Sequence, residues 1–124
     1  MKNLTTPSGK PFMYKECPGE EVLIYPSDEQ GTHQEMSALV ITPYTINLVS
    51  KTIRERGRIR MGASRDNPPK NSLGELLKGI NQSPQQLSYL SAILQSRGFC
   101  SIEKERNAFV LVYRIPAGEG HKSR

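Results

Sequence analysis

The chain has 124 residues, 35% of them hydrophobic, no Trp, and a formal net charge of +5 with a pI near 9.4. That length fits one domain, and so small an apolar content suits a core of a few helices and strands, not a large cleft enzyme. No apolar run nears the roughly 20 residues that cross a bilayer, and the opening MKNLTTPSGKPF lacks the apolar stretch of a secretion signal.

Charge is unevenly placed. Residues 1–50 carry three Lys against six Asp and Glu, a net −3. Residues 51–70 carry seven cations against two anions, a net +5, and residues 71–124 add +3. Such asymmetry favours a polyanionic partner for the basic part. The plainer alternative is a solvated charged surface. Cys17 and Cys100 are far apart and lack the paired spacing of a zinc site. They read as free thiols of a reducing cytoplasm, with one long-range disulfide as the alternative.

In chain order, Pro7, Gly9 and Pro11 stand among small polar residues, and residues 1–20 read as a flexible arm. Val22-Leu23-Ile24-Tyr25 predicts a strand that Pro26 stops. PSDEQGTHQE, residues 26–35, is a polar loop, and Ser37 to Ile41 predicts a second strand. Residues 21–42 are thus an acidic β extension.

Thr42-Pro43 marks a helix start, Thr as the cap and Pro where its missing N–H costs nothing. Ile46, Val49 and Ile53, with Leu48 beside them, give one apolar face, and Gly57 ends the helix. Arg58-Ile59-Arg60-Met61 alternates, predicting a short strand with the apolar pair inward. GASRDNPPKN, residues 62–71, is a loop. Ser72 caps a short helix carrying Leu73, Leu76, Leu77 and Ile80, which fades at Gly79 and Asn81.

Ser83-Pro84-Gln85-Gln86 reads as a capping box, Ser83 accepting from the Gln86 N–H and Gln86 reaching back to the Ser83 N–H. Leu87, Leu90 and Leu94 continue a helix over 84–97 that Gly98 terminates. Phe99 to Glu103 and Ala108 to Ile115 are strand-like, joined by a hairpin tip at Lys104-Glu105-Arg106-Asn107 in which Asn107 suits a positive φ. Residues 116–124 are disordered by composition.

The segment SLGELLKGINQSPQQLSYLSAILQSRGF resembles the helix-turn-helix of the winged-helix superfamily, in which an apolar helix, a short turn, a capped helix and Gly-Phe lead into a hairpin wing. The resemblance covers residues 43–115, and the Pro-rich loop 62–71 is longer than its usual connection. It implies an α+β winged helix-turn-helix with an N-terminal β extension, in which helix 84–97 is the recognition helix. Gln85, Ser88, Tyr89 and Gln95, with Gln86 and Ala92, would then face outward, and Gln pairs well with adenine edges. That uncharged face equally suits a protein interface.

Arg54, Arg56, Arg58 and Arg60 exceed what a helix C-terminus uses, so phosphate contact is the natural role, with Arg65 nearby. Lys104 and Arg106 at the wing tip alternate with Glu103 and Glu105, so local ion pairs compete there.

No Ser-His-Asp order, HExxH, phosphate loop or CxxC is present. His33 and His121 fall in loop and tail, and Asp66 reads as a turn residue. The expectation is a small, regulatory DNA-binding protein of the cytoplasm, not an enzyme, with no cofactor, no metal and no membrane. The alternative is a winged-helix module that docks on another protein. A homodimer is compatible with both.

Overall fold

The computed structural model describes residues 1–27, 39–64 and 67–114. The fold is α+β, with three helices and two antiparallel sheets among the described residues. Strands β1 (Lys2–Thr5), β2 (Pro11–Glu16), β3 (Val22–Pro26) and β4 (Leu39–Ile41) form the first sheet in that order. There follow α1 (Pro43–Arg56), β5 (Arg58–Arg60) and α2 (Leu73–Gly79). A 3-10 turn over Pro84–Gln86 runs into α3 (Leu87–Ser96), and the chain closes with the hairpin β6 (Cys100–Glu105) and β7 (Ala108–Tyr113). In the second sheet β7 lies between β5 and β6. No helix among the described residues is long and apolar enough to cross a membrane. The loop from Asp28, the start of the second strand at Ser37, Arg65, Asp66, His33, His121, Ile115 and the 116–124 tail lie outside the described residues.

The first twenty residues are not the flexible arm that their prolines and glycine predict. Thr6 N–H donates to the Lys10 carbonyl at 2.8 Å, and Gly9 N–H donates to the Thr6 carbonyl at 2.9 Å. Gly9 holds φ at 96°, a conformation that costs glycine nothing, so Pro7 and Gly9 shape a hairpin turn between β1 and β2. Leu4 pairs with Phe12, and Tyr14 with Ile24. Alternation along the strands then sends Phe12, Tyr14, Val22, Ile24 and Ile41 to one buried face. These residues join a single hydrophobic cluster with the helices.

The helices follow their local chemistry. Thr42 Oγ1 accepts from Thr45 N–H at 3.2 Å, with Pro43 at the first helical position. Ile46, Val49 and Ile53 are buried, and Gly57, at φ 73°, closes α1 by donating to the Ile53 carbonyl. Leu87, Leu90 and Leu94 of α3 are buried with them and with Leu73, while Leu76 is half-buried. Ile59 enters the same core from β5, which turns Arg58 and Arg60 outward. The first turn of α2 lies directly on the preceding backbone. Gly74 N–H donates to the Met61 carbonyl at 2.9 Å, and a Cβ on Gly74 would fall onto the Gly62 carbonyl.

Ser72 caps α2 by accepting from Glu75 N–H at 3.1 Å, and it is buried. Ser72→Ala should destabilise the chain by about 0.5–2 kcal/mol, because the Glu75 N–H loses its acceptor. A denaturation midpoint equal to that of the parent chain would show the cap to be dispensable.

The capping box expected at Ser83 takes another form. Ser83 Oγ accepts from Gln85 N–H at 3.3 Å, and Gln86 Nε2 donates to the Ser83 carbonyl at 2.9 Å. The first turn is a 3-10 turn, tighter than an α-turn, so the hydroxyl reaches the second N–H and not the third. The α-helix accordingly spans 87–96 within the expected 84–97. The C-terminal hairpin also differs in detail from expectation. β6 runs to Glu105, so the tip is Arg106-Asn107, and Arg106, not Asn107, holds the positive φ, 56°.

Candidate nucleic-acid interface

The second sheet sorts the basic residues by face. Arg58 sits opposite Val112 and Arg60 opposite Val110, both on the face turned away from Ile59 and the core. Arg58 does not stand free for phosphate. Its guanidinium donates to Glu103 Oε1 at 2.9 Å and, from its other arm, to Glu105. These two carboxylates, Glu103 first, push the Arg58 pKa up from its ordinary value. The hairpin acids Glu103 and Glu105 therefore pair across the sheet with Arg58, and the local pairing expected with Lys104 and Arg106 gives way to this arrangement.

Arg54, in the last turn of α1, and Arg60 are exposed and have no carboxylate in ion-pair range among the described residues. Arg106 is exposed at the hairpin tip. Lys104 is exposed as well, its ammonium 5.8 Å from the Phe109 ring centre. β5 and the hairpin thus carry Arg58, Arg60, Lys104 and Arg106 against Glu103 and Glu105, a net +2.

The face of α3 is narrower than the sequence suggests. Gln85 and Gln95 are exposed, and Ser88 is half-buried. Gln86, however, is only 9% exposed and Ala92 only 4%. Gln86 is turned back on its own turn, its amide donating to the Ser83 carbonyl, so it does not face outward. Tyr89 is half-buried, edge-on to Phe12 with ring centres 5.0 Å apart and planes at 78°. The N-terminal sheet therefore occupies the side of α3 on which Tyr89 lies. What the 3-10 turn and α3 leave open is a polar, uncharged set of Gln85, Ser88 and Gln95.

A second link binds the same sheet to the end of α3. Arg97 Nη2 donates to Glu16 Oε1 at 3.1 Å, and Lys2 Nζ stands 3.6 Å from the same oxygen. The hydrogen bond from Arg97 holds the Glu16 carboxyl below its ordinary pKa. Nothing local in the sequence marks this trio, because Glu16 and Arg97 are 81 residues apart. Beside it lies a cleft of about 310 Å³ that Cys17, Asn47 and Ile46 also line.

Both cysteines are free thiols. Cys100 is buried in the core, and desolvation raises its pKa to about 11, which keeps the thiol protonated and unreactive at neutral pH. Among the described residues no group of three His, Cys, Asp or Glu side chains is placed to hold a metal ion. Comparison with protein-family models, with curated proteins and with solved structures finds no match to this chain.

Proposed function

We propose that residues 43–115 act as a winged-helix unit that binds the backbone of double-stranded nucleic acid, with α3 and the β6–β7 hairpin forming the contact surface. The element order supports the fold reading: helix, strand, helix, turn, helix and hairpin, with β7 between β5 and β6. The observation that carries the functional reading is the double ion pair of Arg58. By engaging Glu103 and Glu105 it offsets the only acids of the hairpin, and Lys104, Arg106 and Arg60 remain as outward cations. Arg58 is thereby reassigned from phosphate ligand to the group that offsets the wing's acids. Gln85, Ser88 and Gln95 are left for base edges, a thin set that favours backbone contact over sequence readout.

The test is an anisotropy titration of the purified chain against labelled mixed-sequence duplex at two salt concentrations. Affinity should fall steeply with salt as counterions are released. Replacing Lys104 and Arg106 by Ala should weaken binding to every sequence about equally and flatten the salt slope by about one unit per lost contact. Gln85→Ala should instead alter preference among sequences, by at most about 1–3 kcal/mol. Absence of binding at the lower salt would retire this reading.

The alternative, a module that docks on another protein, draws support from one observation. Leu39 is 43% exposed, Val40 56% and Tyr44 67%, an apolar group at the edge of the first sheet and the start of α1. Under that reading duplex binding is negligible, and substitutions at Val40 or Tyr44 break a protein complex.

A further inference from the structure

A cleft of about 330 Å³ lies between α1 and α2, and no residue of the β6–β7 hairpin lines it. Ile59, Leu76 and Ile80 give it an apolar floor, and Gly79 lines one wall. A cleft of this size is at the small end of ligand sites, which are largely apolar with a few placed polar groups.

Two observations give the cleft an occupant. The first concerns its polar groups. Thr52 Oγ1 donates to the Leu48 carbonyl at 2.8 Å. Ser72 is taken up by Glu75 N–H and the Pro69 carbonyl, and Glu75 Oε1 accepts from Asn71 N–H at 2.9 Å. Arg56, by contrast, lines the cleft, is exposed, and has no carboxylate in ion-pair range among the described residues, Glu75 included. The cation at this site is therefore a planar guanidinium with no ion-pair partner among the described residues, suited to a carboxylate, with the exposed Asn71 beside it on the cleft wall.

The second concerns Gly79. The other described glycines either hold a positive φ or would place a Cβ against a neighbour. Gly79 does neither: its φ is ordinary and a Cβ built on it meets nothing within 4 Å. Glycine is a poor helix former, and at this helical position neither backbone geometry nor packing calls for it. What its missing side chain does leave is open space in the cleft wall.

We infer that the α1–α2 cleft binds a small apolar monocarboxylate, its hydrocarbon body on Leu76 and Ile80 and its carboxylate on the Arg56 guanidinium. A second carboxylate would meet Glu75 and is disfavoured.

Titrating the full chain with octanoate, followed by amide shifts in a nitrogen–proton correlation spectrum, tests this directly. Saturable shifts at Thr52, Leu76, Gly79 and Ile80 are expected, with none for octylamine. Arg56→Gln should weaken octanoate by about tenfold or more through loss of the charge-assisted pair. Gly79→Leu should abolish binding while leaving the fold intact, since its Cβ enters open space and leucine favours the helix. Shifts that fail to saturate at millimolar octanoate overturn the inference, as does equal affinity of the parent and Arg56→Gln. Duplex binding is read in a separate titration, so the two proposals fail independently.

Discussion

Phe12→Ala is expected to destabilise the entire described fold by about 3–5 kcal/mol, measured by chemical denaturation. The Phe12 side chain is fully buried, stands edge-on to Tyr89 of α3, and lies 6.2 Å from the Tyr14 ring. Removing the ring takes away apolar area and leaves a cavity between the first sheet and α3. If residues 1–20 were a separable arm, truncation there would leave the main transition unmoved. A single transition displaced to lower denaturant, with the resonances of Tyr89 and Leu90 perturbed, is the expected result. An unchanged midpoint would show that the N-terminal sheet lies beside α3 without sharing its core.

The second large effect is expected at Leu90. Leu90→Ala should cost about 2–5 kcal/mol. Leu90 is fully buried in the cluster to which Val49, Ile53, Leu73 and Leu111 also belong, so α1, α2, α3 and β7 all meet in that core. Close-packed surroundings of this kind collapse only partly around a missing side chain. Leu90→Met, which keeps volume and hydrophobicity, should cost less than about 1.5 kcal/mol. Equal losses from the two substitutions would mean that packing at this point is loose and that the cluster does not close around α3.

The helical half of the fold was legible because its signals are local. Thr42-Pro43, Ser72 and the Leu87-Leu90-Leu94 spacing each act within a turn or two of chain, and the structure places a cap or a buried stripe at each. Of the first sheet, β3 and β4 were legible as short apolar runs, whereas β1 and β2 were missed because Pro7, Gly9 and Pro11 read equally as punctuation of a hairpin and as composition of an arm. The alternation in Phe12-Met13-Tyr14 was the signal that separated them, and it spans only three residues.

The site was less legible still. Which carboxylate an arginine meets depends on strand pairing, so nothing near Arg58 in sequence announces Glu103 and Glu105 across β7. The loss of Tyr89 from the outward face has the same kind of origin, whereas Gln86 is lost locally, by bonding back to the Ser83 carbonyl. A helical wheel shows which residues share a side, but not that a second layer will rest against it. Ser83 failed for a different reason, since a capping box and a 3-10 first turn share the same Ser-Pro-Gln-Gln spelling.

The contact between the first sheet and α3 also orders events in time. Glu16 and Arg97 lie 81 residues apart, and Phe12 reaches Tyr89 over a similar length. During synthesis β1 to β4 emerge before α3, yet the Phe12 ring lacks its Tyr89 partner until α3 has left the ribosome. A sheet needs its apolar face packed to be stable in water, so the side of the sheet that meets α3 waits, part-covered, for the segment that completes it. Closing so long a loop has to precede the contacts that reward it, which makes it a slow step of folding. The interval before that closure is when Phe12 and Tyr14 stand open to other chains.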